Sequence, residues 1–298
     1  MCRFWRRWVL LAGLLTLGGQ GRAEIVVVDD GGNTVRLVQA ARRIVSLAPH
    51  LTETLFAAGA GERIVGAVDF SNYPAAARNI ARVGSYAQVD LERIAALQPD
   101  LIVAWQSGNA AAHLDRLRAF GFPVYFSQTN RIEDIASEIE RLGVLAGTVA
   151  VANGAAESFR RRLAALHRRY ASRPRVRTFY QIWKQPLMTV GGQQIISDVI
   201  QLCGGTNVFG GLDAMAATVG VEAIIAADPE AIVASGMDEA RPEWLDDWRR
   251  WPTITAVARG NLFFVPPDLI QRHTPRLLEG AERLCQHLET ARGHRPLR

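Results

Sequence analysis

The chain has 298 residues, 49% apolar and 21% charged, with a formal net charge of +5 from 34 Lys and Arg against 29 Asp and Glu. At ~150 residues per domain that length suggests two domains or one large one, and the composition excludes a disordered, collagenous or disulfide-scaffold protein. Whether the positive charge speaks for nucleic acid or a membrane surface depends on where it sits.

Much of it sits at the N-terminus. Arg3, Arg6 and Arg7 form a basic start, an apolar run from Trp8 to Leu17 follows, and Gly21-Arg22-Ala23 offers a small-x-small cleavage site. This is the layout of a secretory signal peptide over residues 1–23. The apolar run is about half of the ~20 residues that span a bilayer. Cys2 precedes the run, whereas a lipoprotein anchor requires its cysteine after it. Removal of residues 1–23 takes four arginines and no acid, leaving 30 basic against 29 acidic residues, a balance of +1 that gives no reason to expect a nucleic-acid partner. Two cysteines remain, Cys203 and Cys285, and an even pair in an exported chain favours a disulfide over two buried thiols. No C-x-x-C or H-x-x-x-H spacing marks a metal site.

In chain order, Ile25–Leu37 holds two β-rich runs about an Asp-Asp-Gly-Gly turn, a hairpin signature. Arg43–Leu47 reads as a buried strand, Pro49–Ala58 has helical apolar spacing, and Gly59 stands where that helix stops. Ile64–Val68, Leu101–Trp105 and Pro123–Phe126 follow as strands, with helices at Leu91–Leu97 and Ala110–Phe120. Such alternation indicates parallel sheet with crossover helices. The second half repeats the plan. The segment from Leu91 to Ala104 has a counterpart from Val221 to Ala234, each with a Glu opening a short helix, a Pro seven residues later and an apolar strand behind it. Phe56–Gly66 is echoed by Leu202–Gly210. Two similar lobes account for this better than one sheet. Between them, Thr148–Ser172 reads as one long helix with Phe159, Leu163, Leu166 and Tyr170 on one face and Arg160, Arg161, Arg162, Arg168 and Arg169 on the other. The expected division is therefore residues 24–147, the connecting helix 148–172, and residues 173–298. A single joining helix is expected to resist large hinge motion. Trp244, Trp248 and Trp251, at helical spacing, read as core.

No catalytic constellation stands out. Gly59-Ala-Gly61 follows a helix rather than opening one, so it is a helix stop and not a dinucleotide loop. Ser46, His50 and Asp69 lack any nucleophile motif. His50, at a strand-to-helix turn, reads as a capping or cleft-edge residue, and His273, beside Arg272, as an exposed loop residue. More informative are the aromatics Phe70, Tyr73, Tyr86, Trp105 and Trp183, each at or just after a strand. In open α/β sheets that carboxyl edge is where ligands bind, and aromatic walls suit a large, mainly apolar ligand with a polar periphery. Asp268 and Arg272 would supply fixed polar contacts.

The segments Arg43–Glu53, Asp90–Ile94, Gln98–Asn109, Cys203–Asn207 and Asp268–Arg276 carry a resemblance, from about Arg43 onward, to the exported solute-binding proteins of iron-siderophore, haem and cobalamin importers. The resemblance implies an α/β fold of two Rossmann-like lobes joined by one rigid helix, the class III periplasmic binding proteins, acting in the periplasm without chemistry or a resident cofactor. Within that family, Ala-Trp-x-x-Gly-Asn at 104–109 and Asp-x-x-x-Arg at 268–272 point to cobalamin as the transported ligand. Phe70, Tyr86, Trp105 and, one position from a family aromatic, Trp183 would line the site with Asp268, Leu269 and Arg272. The resemblance also implies a Cys203–Cys285 disulfide, a free monomer, and docking through Glu92 and Glu222 onto the two permease subunits of an ABC importer with its ATPase subunits. One departure is the absence of a C-lobe Trp near Met215-Ala216. A haem or siderophore carrier on the same fold is the alternative, with Tyr73 or His50 available to haem iron. An exported hydrolase or oxidoreductase is the rival from another class.

Overall fold

A computed structural model describes residues 24–236 and 240–296; the expected signal peptide lies outside them. The chain opens with the antiparallel hairpin of β1 (Ile25–Val28) and β2 (Thr34–Leu37). Asp29 builds its turn by accepting from the Asn33 amide at 2.7 Å, and Gly32 takes a positive φ of 76° that a side chain would strain.

The first α/β unit follows: β3 (Ile44–Ser46), α1 (Pro49–Ala57), β4 (Ile64–Ala67), α2 (Leu91–Ala96), β5 (Leu101–Trp105), α3 (Ala111–Ala119), β6 (Val124–Ser127) and α4 (Asp134–Ala146). Its four strands run parallel in the order β4-β3-β5-β6. Apolar residues fill both sides of these strands because helices cover both faces. The long helix α5 (Val149–Tyr170) then crosses to the second unit.

That unit comprises β7 (Val176–Trp183), β8 (Met188–Val190), α6 (Ile195–Leu202), β9 (Gly205–Asn207), β10 (Ala216–Thr218), α7 (Val221–Ala227), β11 (Ala231–Ser235), α8 (Thr255–Ala258), β12 (Leu262–Val265), α9 (Pro267–Ile270) and α10 (Leu277–Gly293). Its parallel strands β9-β7-β11-β12 reproduce the first sheet's order, and antiparallel β8 and β10 extend it. The repeat therefore maps element on element, α2-β5 onto α7-β11. The two stops also match, with Gly59 at φ 78° and Gly204 at φ 71° closing α1 and α6.

One buried apolar cluster runs from Ile44 and Leu51 through Ala152, Ala156, Phe159 and Tyr170 of α5 to Val233 and Leu284. The connecting helix is thus packed into both units. Gly143 lets it approach α4: a Cβ there would lie 2.2 Å from the Ala152 Cβ. On the basic face of α5, Arg160 grips Glu140 of α4 through two bonds of 2.5 and 2.7 Å, Arg161 pairs with Glu157, and Arg162 pairs with Glu282 of α10, so these three charges are engaged within the fold. Cys203 at the end of α6 is bonded to Cys285 in α10. The tryptophan stripe differs in geometry from the expectation, because residues Glu243–Arg250 form a 3-10 helix between Pro242 and Trp251-Pro252. Trp248 is nevertheless core, its Nε1 donating to Gln181 at 2.7 Å and its ring meeting Phe179 edge-on.

Candidate functional site

The carboxyl ends of β3, β4 and β5 face the segment following β12 in the second unit, and the expected site residues collect around this cleft. Trp105 is the last residue of β5. Its ring lies over Gly108, where a Cβ would come within 1.9 Å of the ring, so glycine is required for that pose. Asn109 fixes the turn. Its buried amide accepts from the Trp105 backbone N–H at 2.7 Å and donates to the carbonyls of Leu47 at 2.9 Å and Tyr86 at 2.7 Å. One side chain thereby aligns the strand end, the entry to α1 and the loop carrying Tyr86. The Tyr86 and Trp105 rings stand 5.9 Å apart, with Tyr86 exposed. Phe70 is 74% exposed and sits at a positive φ of 62°, strained backbone for a bulky residue.

From the other side comes the segment 268–276. Asp268 and Arg272, four apart, form a half-buried ion pair at 2.9 Å. Arg272 also reaches across to the first unit, donating to Asn72 Oδ1 at 2.8 Å and to the Phe70 carbonyl at 3.3 Å. Four residues on, Arg276 makes a bidentate pair with Glu53 of α1, both bonds 2.8 Å, and its guanidinium lies 3.7 Å above the Tyr73 ring. His273, expected at the surface, is buried. Its ring is 5.8 Å from that of His50, which meets Trp105 edge-on. Burial holds His50 well below its ordinary pKa, with His273 and Arg272 pushing it further down; burial lowers His273 to about 4, partly opposed by a hydrogen bond with the Thr129 backbone. Both imidazoles are neutral at physiological pH.

The structure thus brings Phe70, Tyr86, Trp105, Asp268 and Arg272 to one cleft. Leu269 is buried, with 7% exposure, and offers a ligand little. Trp183 ends β7 on the same sheet edge, 37% exposed, but its indole N–H is committed to the Gln185 carbonyl at 2.9 Å. Glu92 and Glu222 both occupy the first turn of their helices, α2 and α7, exposed and without an ion-pair partner among the described residues. Among the described residues no cluster of three metal-ligating side chains occurs, and no helix is long and apolar enough to cross a membrane. A groove of about 800 Å³ lies elsewhere, between α5, α6 and the start of α4, and is lined by Phe159, Leu163, Arg168 and Asp198. It contains none of the convergent aromatics, so size alone does not mark the functional site. Sequence reasoning missed the roles of Asn109, Asn72 and the Glu53–Arg276 pair, although all but Asn72 lie in segments that carried the resemblance.

Two parallel α/β units about a packed connecting helix, with an aromatic cleft between them, define the class of bilobal binding proteins. The chain belongs to the periplasmic binding protein family, whose model matches residues 44–269. It is similar to the vitamin B12-binding protein of Vibrio parahaemolyticus, 38% identical over 256 residues that cover 85% of this chain and 91% of that one. The Yersinia pestis protein of the same name is 36% identical over 84% of this chain and 87% of its own length. Among solved structures, the periplasmic vitamin B12 binding protein BtuF of Vibrio cholerae aligns with a TM-score of 0.78 at 36% identity, covering 85% of this chain and 98% of that one. The haem-binding protein RhuT of Roseiflexus, at 20% identity and a TM-score of 0.71, shares the fold, the class III periplasmic binding arrangement.

Proposed function

We propose that this chain captures cobalamin or a related corrinoid in the interlobe cleft and delivers it to an ABC importer, performing no chemistry itself. The observation that carries this reading is the opposition of Tyr86, Trp105 and the strained, exposed Phe70 to the Asp268–Arg272 pair. A flat, mainly apolar macrocycle with polar substituents needs such walls: aromatic faces for the ring and fixed charged groups for the rim. The relatives' names support the same ligand. Residues 1–23 would export the chain, residues 24–147 and 173–298 would act as the two lobes, and Glu92 and Glu222, one per lobe, would meet the two copies of a two-fold permease.

Of the two candidate haem ligands, His50 is buried against Trp105 and disfavoured, while Tyr73 stays exposed with Arg276 over one face of its ring. Calorimetry of the mature protein, residues 24–298, separates the readings. We expect saturable heat with cyanocobalamin and none with haemin; tight haemin binding without cobalamin heat would refute the proposal.

A further inference from the structure

The Glu53–Arg276 pair lies at the seam between the lobes, with side-chain exposures of only 3% and 15%. Removing two charges from water is seldom repaid in stability, so the pair is poor glue. Its strength is geometric. A guanidinium fork bound through two parallel bonds fixes both distance and orientation, and here it does so between α1 of the first lobe and the 268–276 segment of the second. The same guanidinium stacks over Tyr73, a favourable cation–π contact. Tyr73 stands three residues from Phe70 and next to Asn72, which receives Arg272. One arginine of the second lobe therefore packs on a rim residue of the first, four residues along the same non-helical segment from Arg272.

We propose that Arg276, held by Glu53, is a positioning residue: it orients Tyr73 on the rim and, beside the Arg272 bonds to Asn72 and the Phe70 carbonyl, sets the lobe spacing at which a rigid, flat ligand is gripped. The inference rests on reading the cleft as the ligand site. It assigns the pair no contact with ligand. Its effect on affinity runs through the residues it holds.

The test uses the mature protein and cyanocobalamin. In R276M the arginine's charge and fork are lost, and affinity falls by about tenfold or more. R276K keeps a cation beside Glu53 but loses the two-bond fork, so it leaves affinity several-fold below the wild type, and full recovery by lysine would overturn the geometric role. Circular dichroism at the temperature of measurement confirms that each variant is folded, and E53Q serves if R276M is not. A second, ligand-free measurement records the distance distribution between spin labels placed by F120C and I225C, exposed positions on the two lobes. It is narrow with Arg276 present and broadened in R276M. A folded R276M with wild-type affinity, or with an unchanged distance distribution, overturns the inference. A wild-type protein that does not bind cyanocobalamin overturns the ligand reading instead, and the distance measurement still decides the role of Arg276.

Discussion

Phe70 combines a left-handed backbone, 74% exposure and a place on the cleft rim. Holding a bulky residue there costs on the order of 1–3 kcal/mol, and an exposed ring recovers little of it by burial. Glycine takes the same backbone without strain, while losing more entropy on folding. F70G is therefore expected to be the more stable protein, by about 1 kcal/mol or roughly 2–4 °C in melting temperature, and the weaker binder of cyanocobalamin, by about tenfold. Thermal unfolding and calorimetry on one preparation test both halves; a lower melting temperature with unchanged affinity would contradict the assignment. The position of Phe70 after β4 was readable from the sequence, but its backbone was not, since nothing local marks a phenylalanine for positive φ. Asn109 shows a second limit. Its place in Ala-Trp-x-x-Gly-Asn was evident, yet its three bonds go to backbone groups that only folding assembles. Glu53 and Arg276 show a third: 223 residues separate them, and no local pattern pairs an acid with a base at that range. His273 was misjudged for the same reason, because its neighbour Arg272 suggested solvent while the segment turns into the seam.

At the level of elements the sequence was far more legible. Regular strands and helices are local hydrophobic patterns, and the internal repeat supplied a second copy of two segments. Leu101–Trp105 is a strand as expected, and α1, α2, α3 and α5 fall within a residue or two of their expected ends. What escaped were β8 and β10, three residues each, too short to show alternation, the helices α4 and α10 and the strand β12, which lie outside every expected element, and the 3-10 geometry of Glu243–Arg250. The repeat also gives the two acidic positions their meaning. Acids in a first turn favour the helix dipole without any partner, and Asp90 already caps α2 by accepting from Arg93 N–H at 3.0 Å. Glu92 is thus not needed for capping, and Glu222 stands at the same place in α7 behind a glycine that offers no cap. Both remain exposed. If they meet the permease, E92K/E222K should bind cyanocobalamin as the wild type does, with a melting temperature within a few degrees of it, because dipole terms are only about 0.3–1 kcal/mol each. Stimulation of ATP hydrolysis by the reconstituted importer should be lost. Full stimulation by the double variant would remove both residues from the interface.

For the molecule as a whole, buried groups at and behind the seam between the lobes titrate in two directions. The loop after β6 connects them. Thr129 hydrogen-bonds His273 of the second lobe through its backbone and donates its hydroxyl to Glu138 of α4 at 2.9 Å. Glu138 is fully buried, receives a second bond from Ser127, and has Asp30, Arg141 and Tyr125 nearby. Burial chiefly, and Asp30 in addition, raises its pKa from 4.5 to about 7, against the opposing effect of its hydrogen bonds and Arg141. The folded state thus prefers the protonated acid, so this contribution to stability is full below pH 4.5 and is lost as pH rises through 7. The histidines run the other way. Both folded pKa values lie below 6.5, so the neutral forms are favoured and their contribution is lost as pH falls below 6.5, for His273 through about 4. Between these limits the trends oppose each other and flatten the profile, which suits a protein whose lobes meet through these groups. The acid can be isolated by E138Q, which keeps the shape of the neutral form. Its unfolding free energy in urea should equal that of the wild type at pH 4.5 and exceed it at pH 8 by on the order of 3 kcal/mol, the value of raising this carboxyl from 4.5 to about 7. A difference that stays constant across that range would show that Glu138 does not change charge there, and that the seam's pH dependence comes from the two histidines alone.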